Sequence, residues 1–456
     1  MKLALIGGGG VRAPLLIQSA LRRAGRLGLA EICLMDTDEA QLETIGALCL
    51  ELGRRAGNAV AVTLTTSAEV AFAGAAYVVT TIRPGGVEGR IADERIALAQ
   101  DVLGQETTGA GGFAMALRSI PTILDYAAKL RSISPAAWLF NFTNPAGLVT
   151  QALHDAGFDR CVGICDSANG AQHAVAKWLG VAEQAVETDV FGLNHLSFSR
   201  HAMVAGEDRL PAALADDAFL SHTALKVFAP EIVRRHGLWL NEYLYYYYYA
   251  DRALADLKAG ATRGEEVQAL NHGLMRQLAE IDVRRNPAAA LEAYFAYEHQ
   301  RSASYMQHAN QHGEPPAGPG AAGTPTAEAD GEGYAGVALS LIEALEGGTP
   351  IRTGLNVANR GAITGLRDDD VVEVSCRVDR GGIQPVPTGE MPEAQRYLVE
   401  SVKHYERLTV EAVREHSRDL AVEALVAHPL VLSYSRAEPL VDNYLAAHAA
   451  YVGDWH

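Results

Sequence analysis

The chain has 456 residues, of which 48% are hydrophobic and 20% charged, and its formal net charge is −17 at pH 7. This length exceeds one typical hydrophobic core, so we expect two domains. The negative charge argues against nucleic acid or an anionic membrane as partner, although a local group of arginines can still bind an anionic substrate. The five cysteines are too few for a disulfide framework, and no apolar run reaches membrane-spanning length. We therefore expect a cytoplasmic protein.

The first 165 residues alternate short apolar runs with amphipathic segments. The runs predict strands at Lys2–Ile6, Glu31–Met35, Ala59–Thr65, Ala75–Ile82 and Ala137–Phe142. This alternation predicts an α/β fold with a doubly wound parallel sheet of the Rossmann type, as in lactate and malate dehydrogenases. We place a nucleotide-binding domain at residues 1–168. Residues 169–456 are expected to form a mixed α+β, largely helical domain that binds substrate and metal and forms oligomers.

The second half of the chain is predicted to be mostly helical between residues 170 and 310, with the run Tyr245–Tyr249 on a buried or interfacial helix. The Gly-, Pro- and Ala-rich stretch 313–333 predicts a flexible insertion. Beyond it, Val371–Val378 is predicted as a strand and Pro392–Ala427 as one or two long helices. The tyrosine run and the helical C-terminal region favour a homodimer or homotetramer.

Four glycines between the first strand and the first helix indicate a dinucleotide site. Gly7, Gly8, Gly9 and Gly10 allow the backbone to approach a pyrophosphate at the start of a helix. Asp36 closes the second strand, where a carboxylate accepts from ribose hydroxyls and favours NAD over its phosphorylated form. The pattern departs from G-x-G-x-x-G because the third glycine is missing, so the glycines alone are a weak signal.

Cys165 and His195 are the candidate metal ligands, and they lie thirty residues apart. A thiolate and an imidazole can hold a divalent transition metal while leaving positions open for substrate hydroxyls. The spacing fits no standard zinc module, because neither a CxxC nor an HExxH motif is present. The alternative interpretation is a buried cysteine and an unrelated histidine, and the residues alone leave both open.

A series of strings follows in a fixed order and spacing over roughly residues 1–440. They are Gly7-Gly8-Gly9, Arg83-Pro84-Gly85-Gly86, Gly104-Gln105-Glu106-Thr107-Thr108-Gly109, Asn141-Phe142-Thr143-Asn144-Pro145-Ala146-Gly147, Gly163-Ile164-Cys165, Gly192-Leu193-Asn194-His195 and Tyr243-Leu244. Together they resemble the NAD- and metal-dependent glycoside hydrolases of family 4. The branch that looks most similar is the 6-phospho-β-glucosidases.

The resemblance implies hydrolysis of a glycoside, with a 6-phosphoglucoside as the expected substrate. NAD+ would oxidise C3 of the sugar, which acidifies the proton on C2. Removal of that proton would expel the leaving group from C1 by elimination. Water would then add and the hydride would return, so the cofactor is regenerated. This route is an exception to the two-carboxylate scheme of most glycosidases.

The resemblance also implies roles for single residues. Cys165 and His195 would bind the metal, with Mn2+ as the family's ion and Zn2+, Co2+ or Fe2+ compatible with the ligands. Tyr243 matches the base at C2, and Arg263 is expected either to lower its pKa or to bind phosphate. The expected contacts to substrate come from Arg90, Glu106, Asn144, Asn194 and Arg263, and those to the cofactor from Gly7, Gly8, Gly9, Gly10, Asp36, Arg83 and Asn141.

Three departures from the family pattern bear on the substrate. Asp166 follows the metal cysteine, where the phospho-α-glucosidase branch carries aspartate, so it favours an α-linked substrate and can serve as a proton donor to the leaving group. Arg12 stands in the opening stretch where phospho-sugar members carry hydroxyl residues. The segment 301–305 replaces a Gly-Gly-x-x-Tyr pattern. The resemblance therefore predicts a divergent subgroup, with a 6-phospho-α-glucosidase or a glycosidase of non-phosphorylated sugars as alternatives.

Two further hypotheses belong to other function classes. A net NAD-dependent dehydrogenase of a hydroxy acid or sugar would use His195 and Arg83 in a proton relay and a carboxylate clamp, but it leaves Cys165 and Tyr243 unexplained. It would accumulate NADH, whereas the glycosidase would show no net absorbance change. A non-catalytic NAD-binding protein would keep the glycines and Asp36 and show no turnover.

Overall fold

The structure is a computed structural model that describes residues 1–306 and 333–456. The predicted insertion at 313–333 lies outside the described residues except for its last residue, which begins a helix. No helix within the described ranges is long and apolar enough to cross a membrane.

The strands divide between two sheets. In chain order they are β1 (Lys2–Ile6), β2 (Glu31–Met35), β3 (Ala61–Thr65), β4 (Ala75–Thr80), β5 (Trp138–Asn141), β6 (Cys161–Gly163), β7 (Val186–Leu193), β8 (Leu196–Val204), β9 (Glu207–Asp208), β10 (Trp239–Leu240), β11 (Ile351–Ala358), β12 (Val371–Asp379) and β13 (Gly382–Pro385). The large sheet has the order β13-β12-β11-β6-β5-β4-β1-β2-β3. The small sheet has the order β10-β8-β7, and β9 pairs with β8.

The first six strands form the parallel part of the large sheet in the order β3-β2-β1-β4-β5-β6. This is the strand order of a Rossmann fold, so the predicted fold class is confirmed. The apolar residues of β1 and β2 are buried on both faces, as parallel strands between two helix layers require.

Three strands from the end of the chain extend this sheet. β11 pairs antiparallel with β6 through Asn356 and Gly163, and β12 and β13 follow antiparallel. The sheet therefore contains residues from both sides of the boundary expected at residue 168, and that boundary stays a prediction. The extension carries side chains of the second half to the strand that leads into Cys165.

The stretch from 186 to 204 differs from its prediction. It was expected within a mostly helical region, but β7 and β8 pair antiparallel there and carry the turn that holds His195. The physical reason lies in the sequence: Val186, Thr188 and Val190 alternate with polar residues, and β-branched side chains at period two favour a strand. The prediction of mostly helical structure is correct for the residues that follow.

Helices cover both faces of the large sheet and make up most of the second half. Their bounds are Ala13–Arg22, Ala24–Leu27, Glu39–Arg55, Ala68–Phe72, Gly86–Ala99, Gly109–Ile133, Ala146–Asp155, Gly170–Leu179, Leu210–Ala215, Asp217–His222, Pro230–His236, Tyr245–Tyr248, Ala250–Ala259, Arg263–Ile281, Pro287–Ala303, Gly333–Leu345, Glu393–Glu415, Arg418–Ala427, Tyr434–Ala447 and Ala449–Val452. Within residues 1–306 and 333–456, short 3₁₀ turns lie at Ser167–Asn169, Glu183–Ala185, Ala224–Val227 and Glu242–Leu244.

The predicted helical region at 392–427 consists of two helices, Glu393–Glu415 and Arg418–Ala427. The first one ends because His416 takes a left-handed conformation, with φ of 53°. Ser417 then caps the second helix by accepting from the backbone N–H of Leu420. The tyrosine run forms only one helical turn, in which Tyr245 and Tyr246 are buried as predicted.

Candidate active site

The segments that follow the parallel strands meet at one edge of the sheet. Gly7 follows β1, Asp36 follows β2, Arg83 lies beyond β4, Asn144 beyond β5 and Cys165 beyond β6. Carboxyl ends of parallel strands share one edge, where ligands of such sheets bind. The candidate site residues taken from distant parts of the sequence therefore converge there.

The glycine turn after β1 is held against the end of β2. Gly7 has a φ of 95°, and a Cβ on it would lie 2.5 Å from the carbonyl oxygen of Thr81, so only glycine fits. The Asp36 side chain accepts from the backbone N–H of Gly9 at 2.9 Å. The turn leads into the helix Ala13–Arg22, whose first N–H groups have no side-chain cap. This arrangement fits a dinucleotide, with the pyrophosphate at the helix start and Asp36 beside the ribose.

Asn141 holds the next loop in place. Its side chain is fully buried, and its amide oxygen accepts from the hydroxyl of Thr80 and the N–H of Thr143 at 3.1 Å each. Its amide nitrogen donates to the carbonyl oxygens of Thr143 and Ala146. These contacts all lie within the protein and hold the turn, and the expected contact of Asn141 to the cofactor stays a prediction. Asn144, at the tip of that loop, is half-buried.

Two arginines bind the two oxygens of one glutamate. Arg83 pairs with one carboxylate oxygen of Glu106, and Arg90 Nη1 lies 2.7 Å from the other. Arg90 Nε also donates to Glu94 Oε1 at 2.8 Å. Burial alone would raise the pKa of Glu106, but the two arginines outweigh it and hold that pKa below its ordinary value. The glutamate is therefore an ionised acceptor at the edge of the site.

Arg263 lies at the start of a neighbouring helix, where it donates to the hydroxyl of Ser304 at 2.7 Å and to the carbonyl oxygen of Arg301 at 3.1 Å. It also pairs with Glu266. Arg90 interacts electrostatically with Tyr243. Against the burial of that arginine, Glu106 and Glu94 raise its pKa, and Tyr243 adds a smaller contribution. The expectation that Arg263 lowers the pKa of Tyr243 is not supported by these contacts.

Cys165 and His195 face one another. The Cys165 Sγ and the His195 Nε2 are 3.3 Å apart, and both residues are buried. The loop after β6 carries the cysteine, and the β7–β8 turn carries the histidine, with φ of 61° at His195 and 128° at Gly192. Burial raises the pKa of the Cys165 thiol well above its usual range and lowers the pKa of His195 to about 3. The thiolate therefore requires a cation nearby.

Each of these two groups has a hydroxyl partner. The hydroxyl of Thr107 lies 2.7 Å from His195 Nδ1. The hydroxyl of Ser167 lies 3.0 Å from Cys165 Sγ, and it accepts from the side-chain amide of Asn241 at 3.2 Å. The two hydroxyls thereby help to hold the thiol and the imidazole next to each other.

This donor set fits a divalent transition metal. A thiolate and an imidazole nitrogen are ligands of such ions, and a metal cation offsets the cost of ionising a buried thiol. No group of three or more His, Cys, Asp or Glu side chains that could hold a metal lies within residues 1–306 and 333–456. Two protein ligands leave coordination positions for the oxygens of a substrate, as the resemblance implies.

Glu373 accepts hydrogen bonds from residues on both sides of His195 in the β7–β8 turn. It lies on β12, is fully buried, and accepts from the Ser197 hydroxyl at 2.7 Å and from the amides of Asn194 and Asn356 at 3.1 Å each. Burial raises the pKa of this carboxyl to about 7, against the three donors that lower it. The side chain of Asn194 is thus engaged within the protein.

Tyr243 stacks on the metal-ligand candidate. Its ring is parallel to that of His195 within 6°, with 3.6 Å between the ring centroids. Burial raises its pKa well above the ordinary value, although a hydrogen bond from Tyr305 acts in the opposite direction. The expected lowering of this pKa is therefore wrong for the protein by itself. The neighbouring Glu242 also bonds to Tyr305, and burial raises its pKa to about 7.

Asp166 is next to the sulfur ligand, with its Oδ1 atom 4.0 Å from Cys165 Sγ. Its carboxylate acts on the buried Glu242 and Glu373, raising the pKa of both. Asp166 is half-buried. The position is compatible with proton donation to a leaving group.

The sequence interpretation missed several residues of this site. They are Gln105, Thr107, Ser167, Ser197, Asn241, Glu242, Tyr305, Asn356 and Glu373. Gln105, Thr107 and Tyr305 stand inside segments that were already singled out, and Ser167 follows Asp166, so their polar side chains were a usable signal. A single acidic residue in the apolar run of β12 was the signal for Glu373. The others carry no local signal, because only the fold brings them to the site.

Comparison with known proteins identifies the family. Residues 2–181 match the sequence model of the family 4 glycosyl hydrolases, and residues 190–431 match that of the family 4 glycosyl hydrolase C-terminal domain. The chain belongs to glycoside hydrolase family 4. The predicted resemblance is thereby confirmed, and the chain is a glycoside hydrolase rather than a net dehydrogenase.

Relatives cover the whole chain. A probable 6-phospho-β-glucosidase from Bacillus subtilis is 30% identical over 99% of this chain and 97% of its own length. A phospho-α-glucosidase from Clostridium acetobutylicum is 26% identical over 100% and 99%. The solved structure of the 6-phospho-β-glucosidase from Thermotoga maritima, which contains manganese, NAD+ and glucose-6-phosphate, is 28% identical with a TM-score of 0.82 over 99% of both chains.

Proposed function

We propose that this family 4 enzyme hydrolyses 6-phospho-β-glucosides with NAD+ and Mn2+ as cofactors. The observation that carries the proposal is the convergence of Cys165 Sγ and His195 Nε2, with Tyr243 stacked on the imidazole, at the edge of the sheet that also carries the glycine turn. The similarity of the whole chain to 6-phospho-β-glucosidases supports the substrate. When bound, NAD+ supplies a reversible hydride acceptor for C3 of the sugar and the metal draws electron density from the adjacent hydroxyls.

The residues of the chain divide the remaining work. Tyr243 removes the proton from C2, because its ring lies against His195 at the metal side of the site. Asp166 donates a proton to the departing oxygen. Glu106 accepts hydrogen bonds from sugar hydroxyls, and the side-chain amide of Asn144 donates to them. The ionised state of Glu106 suits it to accept, since two arginines stabilise its charge.

The phosphate is assigned to the arginines at the edge of the site. Glu106 already fixes Arg83 and Arg90, and Arg301 acts electrostatically on Arg83 and Glu106. Arg263 donates to the backbone of Arg301, so it lies in the same group. Guanidinium groups that are held in place bind a phosphate with little loss of side-chain freedom.

A 6-phospho-α-glucosidase is the second candidate. Asp166 beside Cys165 favours it, because aspartate at this position is the pattern of the α-branch. The lower identity to the phospho-α-glucosidase, 26% against 30%, favours the β-branch. The two candidates share the C3 and C2 chemistry and differ only in the anomer.

The test is hydrolysis of α- and β-p-nitrophenyl glucosides, each with and without a 6-phosphate, in the presence of NAD+, Mn2+ and a thiol reductant. The proposal expects nitrophenol from the 6-phospho-β-glucoside, with a requirement for both cofactors and no net accumulation of NADH. Preference for the α-anomer selects the second candidate. Release without NAD+, or from none of the four compounds, contradicts the proposal.

We also propose a cytoplasmic homo-oligomer. All five cysteines are free thiols, which suits a reducing compartment. The C-terminal helices and the loop before the helix Tyr434–Ala447 carry exposed apolar residues, of which Tyr397, Leu432, Tyr434 and Tyr451 are each at least 50% exposed. Such residues on one part of a surface favour contact with a second subunit. Light scattering after gel filtration gives the mass, and a monomer contradicts this part of the proposal.

A further inference from the structure

Gln105 and Thr107 form a hydrogen-bond relay behind the imidazole of His195. The Gln105 Oε1 atom lies 2.7 Å from the backbone nitrogens of both Thr107 and Thr108. Both backbone N–H groups are donors and need an acceptor. The atom of the Gln105 amide that faces them is therefore its oxygen and not its nitrogen. The side chain is buried at the start of the long helix Gly109–Ile133.

The Thr107 hydroxyl lies between this oxygen and the histidine. Its Oγ1 atom is 3.0 Å from Gln105 Oε1 and 2.7 Å from His195 Nδ1. The hydroxyl has one hydrogen, and the amide oxygen has none. That hydrogen must therefore lie between the two oxygens, or they would repel each other. The lone pair of Oγ1 that remains faces Nδ1.

We infer that Gln105 and Thr107 fix His195 in the tautomer that carries its hydrogen on Nδ1, leaving the Nε2 lone pair directed at the metal position. Because a lone pair of the Thr107 hydroxyl faces Nδ1, this nitrogen carries the hydrogen that is donated to it. A neutral imidazole has one ring N–H, so Nε2 is then unprotonated. The inference deepens the proposed function, because it rests on His195 being a metal ligand. Gln105 and Thr107 are positioning residues in it, since they act through the histidine.

The relay decides between two arrangements that the site would otherwise permit. With hydrogen on Nε2, the ring would donate to Cys165 Sγ, which is 3.3 Å away, and the nitrogen would be closed to a metal. With hydrogen on Nδ1, both the sulfur and Nε2 remain available. Gln105 and Thr107 thus leave the Nε2 atom of His195 unprotonated before a metal ion binds.

The tautomer is measured directly by ¹⁵N NMR of the metal-free, full-length protein labelled at histidine. The His195 signals are identified by their loss in His195→Gln. A protonated ring nitrogen resonates upfield of a bare one, so the spectrum assigns the hydrogen. We expect Nδ1–H in the wild type and a shift towards Nε2–H in Thr107→Val. Nε2–H in the wild type overturns the inference without any variant, as does an unchanged tautomer in Thr107→Val.

Metal affinity gives the second readout, by titration with Mn2+ alone and detection by electron paramagnetic resonance. Thr107→Val should weaken Mn2+ binding about 10–100-fold, the usual effect of removing a partner of a metal ligand. Thr107→Ser restores the hydroxyl and the affinity. Thr108→Val is the matched control, because it removes an adjacent hydroxyl and leaves the relay intact. Equal affinity of Thr107→Val and wild type overturns the inference.

The two readouts separate this inference from the proposed function. A wild type that fails to bind Mn2+ but shows Nδ1–H, with the expected change in Thr107→Val, supports the relay and contradicts the proposed function. A wild type that binds Mn2+ with Nε2–H in its metal-free form contradicts the relay and leaves the proposed function standing.

Discussion

The glycine turn and the Cys165–His195 pair are built in opposite ways. The turn depends mainly on one stretch of chain, in which β1, the glycines and a helix follow each other directly, and the end of β2 holds it through the Met35 carbonyl and the Asp36 carboxylate. The pair depends on five separate segments of the chain, including those that carry Thr107, Asn241 and Glu373. A motif within one stretch of chain is sufficient to bind the pyrophosphate of a dinucleotide, because backbone N–H groups make the contacts. A site assembled from distant segments can fix several chemically different groups around one reacting bond.

Loss of the sulfur ligand should have the largest effect on the assembled site. Cys165→Ser is expected to reduce the rate by about 10⁴-fold, since the metal contributes several kcal/mol to the stabilisation of developing charge. Mn2+ titration and hydrolysis assays measure the effect, and circular dichroism checks the fold. Cys161→Ser is the control, because that thiol donates to the Phe158 carbonyl instead. Full activity in Cys165→Ser would remove the cysteine from the site.

Removal of the phenol should have the next largest effect. Tyr243→Phe keeps the ring that stacks on His195 but deletes the base, so exchange of the C2 proton with D2O should slow by about 10²–10³-fold. Tyr248→Phe is the control, because Tyr248 stacks on His236. Exchange at the wild-type rate would mean that another group removes the proton.

The glutamate behind the His195 turn tests how far the site depends on the extension of the sheet. Glu373→Gln places an N–H against donors from Ser197, Asn194 and Asn356, and should lower the free energy of unfolding by about 1–3 kcal/mol. Denaturant titration measures it. Glu187→Gln, at an exposed position on β7, should be neutral. Equal stability of the two variants would show that β12 does not support the turn.

A substitution at Asp36 should weaken NAD+ binding without changing the metal site, and its effect should be the smallest of the four. Asp36→Ala removes the acceptor from Gly9 and should weaken NAD+ binding about tenfold, the effect of one charge-assisted hydrogen bond. Mn2+ affinity should not change. Asp38→Asn removes a nearby charge while keeping an oxygen that can cap the next helix, so it serves as the control. A large loss of Mn2+ affinity in Asp36→Ala would contradict the separation of the two regions.

The two regions also differ in how well the sequence predicts them. β1, β2 and the glycine turn were predicted with their bounds, because apolar runs and glycines report local backbone requirements. Cys165 and His195 were found through motifs, whereas Glu373 and Asn241 were missed. Their roles depend on strand pairing and loop contacts between residues far apart in sequence. Period and composition do not encode such pairings. The strands at 186–204 were missed for another reason, because the local alternation at Val186, Thr188 and Val190 was present in the sequence and was not used.

The most direct test of the central claim is the fate of the C2 hydrogen during complete turnover. The enzyme, NAD+, Mn2+ and a thiol reductant are given the 6-phosphoglucoside that they hydrolyse fastest, in D2O. Our account predicts one deuterium at C2 of each released glucose-6-phosphate, detected by mass spectrometry and NMR, because bond cleavage requires loss of that proton. Product that retains its original hydrogen at C2 would show direct displacement at C1, and it would contradict the account.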